Sequence, residues 1–468
     1  MSNQPDVVVV GAGYVGLTLA IYIASRGTAV RVLDIDENRI KQLQAGEPVV
    51  FEANLREALA RCVKSGTLTA STKAPEAGAT YWIMATPYIP AEHDAKREND
   101  YTHGLRSIKP RKGERPLVMV RSTIPVGFTF TTVQPALERH FGGGVDQAFN
   151  LAMCPERTLS GAALEELGSH PQIIGGSPAS CKRAAEFFAS CGVKPQVVES
   201  FEAAELAKLF CNFARLTQFN LSNFFGVCCS RFGINEETLL SAITNSYPRL
   251  KLASPGPGVG GFCLPKDSLV LHDGLHEVHE PFHRPGHGAP QDDPLWSYPR
   301  QEYRLNDAII RYHSEMVRTL LHGARRVLAI GVAFKGTPST DDVRGSVGLA
   351  IVQAAMQDGH QVVVHDVTVS PEKLTKLGLV VQQPPFDLDG IDAVLLLNND
   401  PRNVEVLLER MSTNHAGMLR LYDPWRLLLK DREGPVTRVV SRSSLVVMHQ
   451  REAQLSRVTP RSTLAFGG

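Results

Sequence analysis

DVVVVGAGYVGLTLAIYIASRGTAVRVLDID, residues 6–36, decides the fold. Four consecutive valines, Val7–Val10, read as a strand buried on both faces. Gly11, Gly13 and Gly16 then mark a turn into an amphipathic helix over 14–26; Gly27 ends it, and a second strand follows over 29–33. Strand, Gly-x-Gly-x-x-Gly turn, helix and strand make a βαβ unit able to cradle a dinucleotide. Gly11 makes the tight turn, Gly13 lets the backbone approach a pyrophosphate, and Gly16 lets helix and strand pack closely. Tyr14 and Val15 lie inside the same turn, at the helix N-terminus that attracts phosphate. Asp34 closes the second strand, where a carboxylate bonds ribose hydroxyls and repels a 2′-phosphate, so the pattern points to NAD rather than NADP. Arg39 suits the adenine face or a solvated helix position equally well.

Further strands over 80–85, 117–120 and 149–153 alternate with helices and extend this unit to a doubly wound parallel sheet. Residues 201–231 keep helical periodicity with no Gly or Pro before Gly226, which predicts one long helix, and helix continues over 236–246. Residues 272–300, rich in His, Pro, Asp and Gly, read as a long exposed loop. Its histidines at 272, 276, 279, 283 and 287 lack the carboxylate spacing of a zinc signature, so no metal site is expected. After a helix over 302–322, RRVLAIGVAFKG opens a second α/β unit, with a helix over 345–358 and strands in HQVVVHDV and DAVLLLNND. Its first turn lacks Gly-x-Gly-x-x-Gly, so this sheet binds a nucleotide differently or not at all. From about residue 452 there is little pattern. The reading is an α/β protein: two Rossmann-like doubly wound sheets joined by a long central helix and a helical middle domain, divided 1–200, 201–322 and 323–468.

A chain of 468 residues suits two or three domains. Its formal net charge of +1 gives no electrostatic case for nucleic acid or an anionic membrane. No apolar run approaches the ~20 residues of a membrane helix, and the N-terminus goes straight into a strand without the pattern of a secretory signal. Eight cysteines without a Cys-x-x-Cys pair argue against a disulfide scaffold or zinc ribbon and fit a reduced, cytoplasmic protein.

Cys263 alone has surroundings unlike a core. It lies in GPGVGGFCLPKD, residues 256–267, where glycines let the backbone sit against a ligand and Lys266 and Asp267 follow at once. A thiol there can reach a substrate carbon, with a cation to favour the thiolate and a carboxylate to move protons; a flexible linker with an incidental Cys fits the stretch about as well. Glu205, Lys208 and Asn212 share one face of the long helix amid apolar residues, and a buried Lys needs a partner or a job.

The ordered set GAGYVG (11–16), ATP (85–87), VRSTIPVG (120–127), CPERTLSG (154–161), AELAKLFCN (204–212), GPGVGGFCLPKD (256–267) and AFKGTPSTDDVRGS (333–346) resembles the UDP-glucose/GDP-mannose dehydrogenase family over residues 6–440. The resemblance implies an N-terminal NAD-binding domain, a helical middle carrying a homodimer or larger interface, and a C-terminal domain for the nucleotide of a UDP-sugar. It implies two oxidations at C6 of the sugar through a thioester. By motif position Cys263 is the nucleophile, Asp267 and Lys208 handle the proton and oxyanion, Asn212 assists, and Thr123 and Glu156 place water, with Glu156 as candidate base. Thr86 and Ser122 fall near the cofactor; Arg344 and Lys335 resemble cofactor and substrate contacts; Arg157, Arg249 and Gly260 resemble substrate contacts. Pro155-Glu156-Arg157 followed by ALEEL and PQIIGG looks like the branch acting on UDP-N-acetylmannosamine, whereas Leu264-Pro265-Lys266-Asp267 is closer to the UDP-glucose pattern.

Overall fold

A computed structural model describes residues 5–52, 54–88, 98–245, 247, 249–276, 293–384, 386, 388–411, 418–427 and 445–449. The chain divides into two compact units. The first comprises residues 1–220, 258–308 and 337–345, and the second residues 221–257, 309–336 and 346–468.

The first unit is built on an eight-stranded sheet: β1 (Val7–Val10), β2 (Val30–Leu33), β3 (Leu68–Ser71), β4 (Tyr81–Met84), β5 (Leu117–Val120), β6 (Asn150–Met153), β7 (Gln172–Gly176) and β8 (Pro195–Val198). Their order is β3-β2-β1-β4-β5-β6-β7-β8. Side chains alternate across a strand, and β1 uses both faces: Val7 and Val9 join one core with Leu17, Ile21 and Phe188, while Val8 and Val10 join another with Trp82, Phe149 and Leu151. Burying each such side chain stabilises by roughly 1.5–3 kcal/mol, enough to fix a strand of only four residues. The sheet is not parallel throughout as the sequence predicts. β7 runs antiparallel to β6, and β3, β7 and β8 lack the unbroken apolar run that reveals β1.

The helix Phe201–Phe232 is 32 residues long, close to the sequence expectation. Its residues to Asn220 belong to the first unit and those from Leu221 to the second. The expected long loop over 272–300 is corrected at both ends. Residues 272–276 finish a helix that starts at Cys263, Tyr298 opens the next helix, and residues 277–292 lie outside the described set. Pro265 does not stop the first of these helices because it occupies the first turn, where its missing N–H costs nothing. His272 is buried and packs against His276 with ring centroids 4.2 Å apart. His279, His283 and His287, and the patternless tail from about residue 452, also fall outside the described residues.

The second unit carries β9 (Arg326–Ile330), β10 (Gln361–His365), β11 (Val380–Val381), β12 (Ala393–Leu396), β13 (Met418–Tyr422) and β14 (Leu445–His449), ordered β11-β10-β9-β12-β13-β14. All pairs are parallel except β13 with β14. Among the described residues no helix is long and apolar enough to cross a membrane.

Candidate active site

The turn after β1 has the shape its glycines require. Gly11 adopts φ +107°, and a Cβ there would meet the Ala85 carbonyl oxygen at 2.7 Å. A Cβ on Gly16 would lie 2.0 Å from the Gly11 carbonyl oxygen, whereas one on Gly13 would meet nothing within 4 Å. Gly13 thus leaves open space at the start of the helix Tyr14–Ala24, whose N-terminus has no side-chain cap. Unclaimed N–H groups beside open space suit a pyrophosphate.

Asp34 ends β2. One of its oxygens accepts the Ala12 amide at 2.8 Å and the other the Asp36 amide at 3.0 Å. Arg39 turns back to this acid, 3.7 Å from Asp34 and 3.4 Å from Asp36. These groups fit a dinucleotide: a glycine cradle, a helix N-terminus and a tethered acid. The second sheet repeats the tether, Asp366 after β10 accepting the Ala333 amide at 2.9 Å.

Two buried carboxylates brace this region. Glu52 accepts the Tyr14 hydroxyl and the amides of Gly161 and Ala163, at 2.8 and 2.9 Å for the amides, joining the glycine turn to the CPERTLSG segment. Burial, then the Glu52 carboxylate, raise the Tyr14 phenol far above its usual range, so it donates and does not ionise. Glu156 pairs with Arg121, which is 1% exposed and also donates to Gln172 at 2.8 Å. Burial works to raise the Glu156 carboxyl, but Arg121, Thr158 and the charge of Lys208 outweigh it and hold the group below the usual glutamate value. Neither Glu52 nor Arg121 is singled out by sequence reasoning. The available signal for Arg121 is a charge set directly behind the apolar run of β5.

The reactive cluster lies wholly in the first unit. Cys263 opens the helix Cys263–His276, and Asp267 follows one turn later, so both share a face. The glycine run before it is pinned rather than slack: Asn306 bonds the Val259 amide and carbonyl at 2.7 and 2.9 Å, and the Gly261 amide reaches Gly345 at 2.9 Å. Asp267 is buried and held from three sides, by Lys266 at 2.7 Å, Asn212 at 2.6 Å and Lys208 at 3.7 Å. Lys266, expected as a cation beside the thiol, spends its charge mainly on Asp267. Cys263 is exposed, yet the protein around its sulfur and then Asp267 push the thiol above its ordinary value, against the pull of Lys208, Lys266 and Arg344.

The remaining candidates are placed as follows. Ser122 donates to the Thr86 carbonyl at 2.5 Å, and half-buried Thr123 follows it. Arg157 donates to the Pro171 carbonyl at 2.5 Å, so its guanidinium already serves the fold. Arg344 grips Asp342 with two nitrogens and lies 5.7 Å over the Phe262 ring. Gly260 is half-buried in the pinned run. Arg249 and Lys335 belong to the second unit, over the rings of Tyr247 and Phe334.

A buried carboxylate with two lysines, one turn from an exposed cysteine and in the same unit as a dinucleotide cradle, can carry oxidation with covalent capture. Comparison with known proteins supports the dinucleotide reading. Residues 5–190 match the NAD binding domain of the UDP-glucose/GDP-mannose dehydrogenase family, and residues 202–284 its central domain. The UDP-N-acetyl-D-mannosamine dehydrogenase of Escherichia coli (strain K12) is 30% identical over 386 residues, 80% of this chain and 89% of that protein. Among solved structures, the UDP-D-ManNAc dehydrogenase of Pyrococcus horikoshii superposes with TM-score 0.70 at 26% identity, covering 85% of this chain and 90% of that one. A UDP-glucose dehydrogenase of Pyrobaculum islandicum gives TM-score 0.70 at 26% identity, covering 86% and 91%.

Proposed function

The chain belongs to the UDP-glucose/GDP-mannose dehydrogenase family and uses NAD, and from that premise we propose that it oxidises C6 of UDP-N-acetylmannosamine to the carboxylate through a thioester on Cys263. The observation that carries this is the Asp267 cluster, with Lys208, Lys266 and Asn212 converging on one buried carboxylate a helical turn from the thiol.

Two NAD in succession would supply the hydride acceptors for the two oxidations. Gly11, Gly13, Gly16 and Asp34 would hold each of them, with Thr86 and Ser122 beside it. Asp267 takes the C6 hydroxyl proton as the first hydride leaves, giving an aldehyde. Asp267 passes that proton to solvent and takes the proton of the Cys263 thiol, the sulfur adds to the aldehyde carbon, and Lys208 and Asn212 hold the oxyanion formed. Loss of the second hydride leaves the thioester. Water, oriented by Thr123, gives a proton to Glu156, which is kept ionised beside Arg121, and attacks the thioester carbon; the C–S bond breaks, the sulfur leaves as thiolate and takes up the product's acid proton, and the carboxylate leaves.

In this reading residues 1–200 hold NAD, 201–322 carry the nucleophile and the contact with a second copy, and 323–468 take the nucleotide of the sugar. Arg157, Arg249, Gly260, Lys335 and Arg344 are proposed for substrate or cofactor on their motif positions. Leu206, Phe210, Leu221, Phe224 and Phe232 are exposed along the long helix and support a homodimer. Eight free cysteines support a cytoplasmic location, and a uronic-acid nucleotide sugar suits surface polysaccharide synthesis.

The test is NADH release by purified protein with NAD and UDP-N-acetylmannosamine, UDP-N-acetylglucosamine, UDP-N-acetylgalactosamine, UDP-glucose or GDP-mannose. The expected result is two NADH per UDP-N-acetylmannosamine, abolished by Cys263→Ala. Turnover of UDP-glucose alone would keep the chemistry and change the substrate, the reading favoured by Leu264-Pro265-Lys266-Asp267. Tight binding of a sugar nucleotide with no NADH would make the chain a binding protein.

A further inference from the structure

The long helix carries a second buried carboxylate that the chemistry above leaves unused. Glu205 sits one turn before Lys208 and is 1% exposed. One of its oxygens accepts the Gly127 amide at 2.6 Å; the other accepts the Thr129 amide at 2.9 Å and the Thr129 hydroxyl at 2.6 Å. These donors end the segment that begins at Arg121, pairs Arg121 with Glu156, ties Ser122 to Thr86 and carries Thr123. Gly127 reverses the chain there at φ +89°. The cysteine helix meets the same segment, since a Cβ on Gly274 would strike the Val126 amide nitrogen at 2.7 Å. Leu209 of the long helix packs with Val270 of the cysteine helix, and Val126 joins them.

We propose that ionised Glu205 is a positioning residue that clamps the turn 122–129 to the long helix, keeping Ser122 and Thr123 in register with Lys208 and Asn212, and that neutralising it slackens the turn and lowers turnover. The register matters only for the chemistry proposed above, so the functional half rests on that reading. Both oxygens face N–H donors, and only a carboxylate offers acceptors on both sides. A protonated acid gives up acceptor strength on one of them, and an amide turns its NH2 toward a donor. Burial drives the group up to about 7 against the pull of Thr129 and Gly127, so it changes charge within the working range. Titratable groups facing it are Glu202 on its own helix and Tyr101 on the helix Glu98–Arg106. Beyond Thr129 lies the sulfur of Met153 on β6, which is uncharged.

The experiment uses the full chain. Wild-type kcat is expected to fall on an acid limb near pH 7. Glu205→Gln should lower kcat at least tenfold at pH 8 and flatten that limb, with KM for NAD within about threefold. Thr129→Val keeps the charge but removes a bond favouring it, so its limb should move to higher pH. A turn held equally well without the charge would leave the Glu205→Gln profile parallel to wild type and the Thr129→Val limb unmoved, and would overturn the proposal. Hydrogen exchange at the Gly127 and Thr129 amides, corrected for intrinsic rates, reads the clamp without any sugar. At pH 8, protection should be at least tenfold lower in Glu205→Gln than in wild type. Equal protection in the two proteins would refute the clamp even where no substrate is turned over, and protection lost in the variant of an inactive protein would locate the failure in the proposed reaction.

Discussion

Removing Arg121 while leaving Glu156 in place tests the central electrostatic reading of the first unit. Arg121→Met is close in bulk but strands a buried carboxylate that keeps the Thr158 amide, at 2.5 Å, and the distant charge of Lys208. Breaking a buried pair from one side costs about 3–5 kcal/mol, and the surviving amide bond argues for the lower end, about 3 kcal/mol. The pH dependence separates this from a packing defect. In wild type the Glu156 carboxyl lies below its unfolded value of 4.5, so its contribution is present above that pH and lost as pH falls through the lowered folded value. Without Arg121, burial dominates and the folded value rises above 4.5. The deficit of the variant therefore opens as pH rises above the lowered value, already includes the whole lost contribution at pH 4.5, and goes on growing until pH reaches the raised value, where it levels off. Urea unfolding, followed by the fluorescence of buried Trp82 on β4 in the same sheet, measures it at pH 5 and pH 8. Adding Glu156→Gln should recover most of the loss at pH 8. A deficit equal at both pH values, or below about 1 kcal/mol, would refute the buried-pair account.

Three further outcomes are expected. Gly16→Ala places a Cβ 2.0 Å from the Gly11 carbonyl oxygen, which should destabilise the protein by about 3 kcal/mol and abolish the rise in Tm that NAD gives the wild type. Asp267→Asn removes an anion that raises the Cys263 thiol while Lys208 and Lys266 remain. Iodoacetamide should therefore label Cys263 several-fold faster at pH 8 in that variant, read by peptide mass spectrometry. Phe210→Glu puts a charge on an exposed apolar position of the long helix, and sedimentation should show the proposed dimer shifting towards monomer.

The features legible in the sequence are those whose causes are local. Val7–Val10, the three turn glycines and Asp34 lie within 28 residues of one another, and each acts on its neighbours. The length of the central helix follows from an uninterrupted period. The cysteine segment is less legible, because glycines followed by a proline signal a loop. Pro265 is nevertheless acceptable in a first helical turn, and Asn306 pins the glycines from another part of the chain. Arg121 is the clearest non-local case. A charge after an apolar strand reads as solvated, and its partners Glu156 and Gln172 come 35 and 51 residues later. Likewise the antiparallel turn of β7 depends on which neighbour it finds, not on its own composition.

The tether from Asp34 to the Ala12 amide bears on how freely the coenzyme preference of this protein can be redesigned. Exchanging that acid for a neutral residue is the obvious move toward accepting a 2′-phosphate. With a residue that has no side-chain oxygen it would also release the glycine turn, because the oxygen that holds Ala12 would vanish with the charge. Selectivity and scaffold are wired to one side chain, so a workable redesign has to restore an acceptor at that amide before it adds a cation for the phosphate. The second sheet uses the same lock between Asp366 and Ala333, which makes that acid equally hard to exchange, whatever its ligand.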